Sequence, residues 1–188
     1  RLPGRHSGAV YLEAEAIPLG AEGLIFLPHM MVGERAPYWD NDVRGCLAGL
    51  TVYHTRAHIF RAFLEGVAYA LRYSVETATG AGMPLRRALL VDGGAKSKLW
   101  RGILTDVSGL AMTYMAQNPG APLGDALLAG LGTGVLKDPK VIIDWLAITE
   151  VTKSNPKNKK LHDQYYRLYL KLYKANEAVF REIRKLVP

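Results

Sequence analysis

Residues 88–110, ALLVDGGAKSKLWRGILTDVSGL, constrain the fold more than any other stretch. Residues 88–91 form a short apolar run of buried-strand type. Asp92, Gly93, Gly94 and Ala95 then read as a sharp break. From Lys96 onward the apolar residues Leu99, Trp100, Ile103, Leu104 and Val107 recur at helical spacing. Gly109 sits where a helix C-terminal glycine belongs. A strand, a glycine turn and a helix start make a common ligand-binding unit. Glycine lets backbone approach a ligand with no Cβ in the way, and unpaired N–H groups at a helix start favour an anion or a polar ring edge. Most Gly-Gly pairs are only tight turns, so the pair alone decides nothing.

The flanking sequence reads as an α/β layer protein. Strands are expected at 23–28, where Pro28 stops the run, at 45–52 and at 111–115. Helices are expected at 11–17, 55–79, 123–134 and 161–186, the last with Leu161, Tyr165, Leu168, Leu172, Val179 and Ile183 on or near one face. Residues 138–147 read as a loop and a short helical piece, and residues 148–158 as a polar connector. The strands are expected to join in one mixed sheet, whose carboxyl ends are where ligands sit in such folds. The 92–95 turn lies at such an end.

Several residues invite a chemical reading. Residues 30–44 are a loop by composition, yet hold Glu34, Arg35, Tyr38, Trp39, Asp40 and Arg44, a density unusual for a plain connector. His54 and His58 are four apart, but a zinc site needs a third protein ligand, so capping or packing is the favoured reading. Asp92 is expected to bond neighbouring backbone N–H groups. Gly66, inside the longest core helix, costs about 1 kcal/mol against alanine, which points to close packing with a neighbour. Gly130, Gly132 and Gly134 fall inside or at the end of a helix, where packing is the better reading, with Ala126 and Ala129 permitting close approach to a sheet. A P-loop, a dinucleotide GxGxxG on the central turn and a GxSxG elbow are all missing.

Charge and cysteine content narrow the classes. The net charge of +7 comes from 24 Lys and Arg against 17 Asp and Glu. Much of it lies in 153–160 and along the last helix, where a solvated face is favoured over a nucleic-acid surface. The tyrosines Tyr165, Tyr166 and Tyr169 read as packing and interface residues. No apolar run is long enough to cross a bilayer. Cys46 is the only cysteine, so a reducing, cytoplasmic setting is the simpler reading. From residues alone the conclusion is a ligand-binding α/β domain with an anionic ligand in view.

Three stretches add a resemblance. Residues 33–72, beginning GERAPYWD, resemble the long signature in the second half of the FGGY carbohydrate kinases. Residues 91–110 resemble their adenosine-binding motif, and residues 121–134, APLGDALLAGLGTG, the small-residue helix beyond it. The resemblance runs from about residue 21 to the end, and its GERAPYWD and GGAKS forms are most like the xylulokinase branch. It implies an α/β fold of the actin-like ATPase (ribonuclease H-like) type, here incomplete, with a mixed sheet, flanking helices and a long C-terminal helix. Residues 1–150 would be the nucleotide-side C-terminal domain, truncated at its N-terminal end, and 151–188 a connector and helix of the same domain.

The resemblance further implies ATP and Mg²⁺ in a cleft between two domains, and a sugar, a ketose such as xylulose, whose hydroxyl attacks the γ-phosphate. Phosphoryl transfer of this kind rests mostly on positioning and charge neutralisation. The family's nucleotide contact carries over to Gly94, with Gly93 and Ala95 beside it. Lys98 stands where some glycerol kinases have an asparagine contact. The catalytic base and phosphate loops belong to parts of the family fold that precede Arg1, so no catalytic or metal-binding residue is assigned here, and the chain alone is expected to be inactive. The alternative is a non-catalytic kinase-like binding or assembly module. Partners are then the sugar and ATP, with no nucleic acid and no membrane, and a homodimer stays open.

Overall fold

A computed structural model of the chain describes residues 7–31, 34, 36, 38–86, 88–115, 120–145 and 150–186. The elements in order are α1 (Ser7–Glu15), β1 (Ile25–Leu27), β2 (Cys46–Ala48), α2 (Arg56–Gly80), β3 (Ala88–Leu90), α3 (Asp92–Ala95), α4 (Lys98–Ser108), β4 (Met112–Tyr114), α5 (Ala121–Gly132), α6 (Ile142–Trp145), β5 (Glu150–Thr152) and α7 (Pro156–Leu186). One-turn 3₁₀ segments precede β1 and α6.

The strands form two sheets rather than the single one expected. β1 and β2 pair antiparallel, with Phe26 opposite Leu47. β3, β4 and β5 form a separate mixed sheet, β3 parallel and β5 antiparallel to β4. The first pair stays apart because β1 packs against α2 and α7, and Pro28 directly after it offers no N–H for a ladder. β5 lies in the stretch read as a polar connector. Its first two residues are exposed, so it carries no apolar alternation, and its backbone pairing with β4 makes it a strand.

α2 is the central helix. Thr55 caps it: its N–H donates to His58 Nδ1 at 3.1 Å, and its hydroxyl lies 2.9 Å from the same nitrogen. His54 Nδ1 accepts the Thr51 N–H at 2.9 Å. The two histidines therefore serve as cap and turn partners. At Gly66 an added Cβ would sit 2.4 Å from the Phe26 carbonyl oxygen, so the glycine lets β1 lie directly on α2.

The main core joins α2, α4, β1, β4 and α7 through Leu27, Leu64, Tyr69, Ile103, Val107, Met112 and Tyr169. Each such side chain contributes about 1.5–3 kcal/mol when fully buried. α7 begins one turn earlier than the periodicity suggests. Proline suits the first helical position, and the Asn155 side chain accepts the Lys157 N–H at 3.0 Å. Its buried face is also rotated from the aliphatic stripe expected. His162, Tyr166, Tyr169 and Phe180 are inside, whereas Leu161, Leu168, Val179 and Ile183 are all more than a third exposed.

The tyrosines can be buried because each hydroxyl finds a partner. Tyr166 donates to Glu76 at 2.8 Å and Tyr173 to Asp40 at 2.9 Å, and Tyr169 bonds His29 at 3.2 Å. α5 departs from expectation as well. None of its residues is buried, and a Cβ at Gly130 would meet Leu136 at 2.5 Å, in its own following loop rather than a sheet.

Candidate functional site

β3 runs parallel to β4 with Leu90 beside Tyr114, so both strands end on the same edge. There the chain does not make a flat turn. Residues 92–95 wind as one helical turn, α3, before α4 begins. The carbonyls at the end of such a turn have no partner within it. The start of α4 supplies the missing donors. Ser97 N–H donates to the Gly94 oxygen at 3.1 Å, and Arg101 Nη1 to the Ala95 oxygen at 2.5 Å. Ser97 caps α4 by accepting the Trp100 N–H at 3.3 Å, and Gly109 closes it with φ +74°.

All four residues expected at the site fall on α3 or the start of α4. Gly93 and Gly94 lie within α3. An added Cβ at Gly94 would stand 2.0 Å from Cζ3 of Trp100, so the bare backbone there admits the indole ring. Ala95 is buried. Lys98, exposed in the first turn of α4, lines a cavity of about 290 Å³ with Arg61, Asp106 and His162. The side chain of Asp92 lies outside the described residues.

Arg101 gave no signal in the sequence, where a polar residue on a helix reads as solvent-facing. In the structure it is 2% exposed. Its Nη2 donates to Glu150 Oε2 at 2.7 Å, and its guanidinium lies 4.3 Å from the centre of the Tyr114 ring. Trp100 Nε1 and Arg101 Nε are buried without a hydrogen-bond partner among the described residues.

The charged and aromatic loop before β2 is held against α2 and α7. Glu34 and Asp40 exchange backbone hydrogen bonds at 2.8 and 2.9 Å. The Tyr38 ring stacks on Tyr173 at 3.6 Å and 7°. Burial raises the Asp40 carboxyl pKa, but hydrogen bonds from the Asp42 N–H and the Tyr173 hydroxyl outweigh it and leave the group below its ordinary value. His29 beneath the loop is pushed down to about 4 by burial, against the attraction of Asp40. Trp39, Tyr73 and Lys174 line an open cleft of about 560 Å³ there. Residues 32–33, 35 and 37 of this loop, Arg35 among them, lie outside the described residues.

Among the described residues no group of three or more His, Cys, Asp or Glu side chains is placed to hold a metal ion. Among them, too, no helix is long and apolar enough to cross a membrane.

Comparison with known proteins gives a consistent picture. The family model for the FGGY family of carbohydrate kinases, C-terminal domain, matches residues 7–133. The chain is 31% identical over 171 residues to a xylulose kinase of Staphylococcus epidermidis, covering 90% of this chain and 34% of that protein. It is 35% identical over 138 residues to a gluconokinase of Bacillus subtilis, covering 72% of this chain and 26% of that one. Its structure resembles a xylulose kinase from Rhodospirillum rubrum with a TM-score of 0.79 at 31% identity, covering 93% of this chain and 35% of the other. The chain thus spans between about a quarter and about a third of the length of these relatives.

Proposed function

Because the chain belongs to the FGGY family of carbohydrate kinases, we propose that it is the nucleotide-side part of a cytoplasmic enzyme that phosphorylates a ketose such as xylulose with ATP and Mg²⁺. Its fold is part of the actin-like ATPase fold of its structural relatives.

The observation that carries the reading is the glycine turn at the carboxyl end of β3, inside the stretch matched to the family. Ligands of open α/β sheets bind outside the carboxyl ends of strands. In this reading the backbone at Gly93, Gly94 and Ala95 meets the adenosine end of ATP, and Lys98 lies close enough to reach a phosphate or the ribose edge. ATP is a substrate, and Mg²⁺ neutralises its phosphate charge during transfer. The residues of this chain bind and orient the nucleotide. They hold no proton in the chemical step, so the chain by itself is catalytically silent. Domains 1–150 and 151–188 act as one unit in this reading, since α7 packs on α4 and β1.

The test is titration calorimetry of the natural, full-length polypeptide with Mg-ADP, with and without xylulose, followed by a panel of ketoses and polyols with ATP. Binding of Mg-ADP with ATP-dependent phosphorylation of a ketose is expected. Saturable partner binding with no response to Mg-ADP at any sugar would favour a non-catalytic assembly module instead.

A further inference from the structure

One buried side chain joins the end of β4 and the start of β5 to the helical turn that follows β3. Ala95 ends the turn after β3, Tyr114 ends β4, and Glu150 begins β5 directly opposite Tyr114. Arg101 bonds the Ala95 carbonyl, bonds the Glu150 carboxylate and covers the Tyr114 ring. Ala95 is only 7% exposed, so without Arg101 its carbonyl would have to find another partner at a buried helix end.

Stability alone does not account for this arrangement. Among the described residues the buried guanidinium has no partner for its Nε, and an ion pair with one buried member is weak evidence for stability because desolvation offsets the attraction. Each bonded N–H instead fixes a backbone or side-chain position at the edge where the glycine turn stands.

We infer that Arg101 is a positioning residue for the nucleotide, holding the Gly94–Ala95 backbone in place against the ends of β4 and β5 through its fork to Ala95 and Glu150. The inference rests on the nucleotide-side reading above. Arg101 is not a catalytic residue, since its contacts are with protein groups. Its planar fork suits the task, because two divergent partners must be held at once, which a lysine ammonium on a flexible stem cannot do.

The test uses the natural, full-length polypeptide. Mg-ADP affinity is read by calorimetry, and KM for ATP and for the sugar by steady-state kinetics. Arg101→Lys is expected to weaken Mg-ADP binding and raise KM for ATP about tenfold, the scale of one charge-assisted hydrogen bond. Glu150→Gln, at a half-exposed position, is expected to do so about threefold because a neutral partner holds the fork less firmly. KM for the sugar should stay near wild type in both variants, and so should the melting temperature of Glu150→Gln, whereas Arg101→Lys leaves the buried Ala95 carbonyl short of a donor and should melt somewhat lower.

Folded variants with unchanged nucleotide affinity would overturn the inference. So would a rise in both KM values together, or a loss of affinity that only tracks a lower melting temperature, since each marks general structural damage. Should Arg101→Lys fail to fold, Glu150→Gln decides by the same criteria. Wild-type protein that ignores Mg-ADP would sink the nucleotide reading itself, a result visible before any variant is made.

Discussion

Both carboxylate oxygens of Glu65 lie 3.1 Å from the backbone nitrogen of Gly20, 45 residues earlier in the chain. Glu65 Oε1 also accepts from Arg61 Nε at 2.7 Å, and the acid is 1% exposed. Burial pushes the Glu65 pKa up, against the pull of Arg61 and the Gly20 N–H. Gly20 itself has φ +85°, and a Cβ there would stand 2.1 Å from the Tyr165 ring. The entry to β1 is thereby joined to the middle of α2 through the acid, and to α7 through the space that Gly20 leaves for the Tyr165 ring.

Glu65→Ala should therefore destabilise the protein by roughly 3–5 kcal/mol, because it leaves the buried Arg61 charge without its partner. Glu65→Gln should cost clearly less, since its amide oxygen still accepts from Gly20. Urea denaturation of the two variants beside wild type checks this, and equal losses would show that the Gly20 contact adds nothing.

Gly66→Ala should lower stability by about 1–3 kcal/mol, the usual cost of overpacking. The added methyl meets a backbone oxygen of Phe26, which cannot swing away as a side chain would. Helix propensity alone predicts the opposite sign, a gain of about 1 kcal/mol, so the direction of the melting shift separates the two.

Gly94→Ala tests the turn. The methyl must displace the Trp100 ring. Tryptophan emission should shift, far-UV circular dichroism should stay native, and Mg-ADP affinity should fall roughly tenfold, in line with an overpacking cost of about 1–3 kcal/mol. Native affinity with a shifted emission would place the nucleotide away from this turn.

The pH response arises from two buried histidines. Burial lowers His29 to about 4 and His162 to about 3, the latter helped by Arg61 and Arg72. In the unfolded chain both take up a proton near pH 6.5, so the unfolded state binds more protons below that value. Their contribution to stability is intact above about pH 6.5 and is lost as pH falls toward 4. Glu65, with its raised pKa, acts in the opposite sense. The comparison of wild type with His162→Gln isolates the histidine: the variant's melting temperature should fall less between pH 7 and 4.5.

What local sequence determines here is the set of elements with strong periodicity. α2 and α4 have broad apolar stripes, and Gly109 marks the end of α4 by backbone chemistry that needs no tertiary partner. The strand, glycine segment and helix at 88–108 are legible for the same reason, as is the tight packing at Gly66. The resemblance in residues 33–72, 91–110 and 121–134 carried the family, because the order of such motifs is a property of the chain itself.

Tertiary structure alone decided the rest. The three residues of β5 form a strand only because β4 offers them a ladder. α7 turns its tyrosines inward, and leaves Leu161 and Leu168 more exposed, because His29, Glu76 and Asp40 from distant segments receive the hydroxyls. Arg101 looks like any surface cation until Ala95, Tyr114 and Glu150 converge on it. Periodicity records which side chains prefer to leave water, whereas burial of a polar group depends on partners far along the chain, and only the folded structure supplies them.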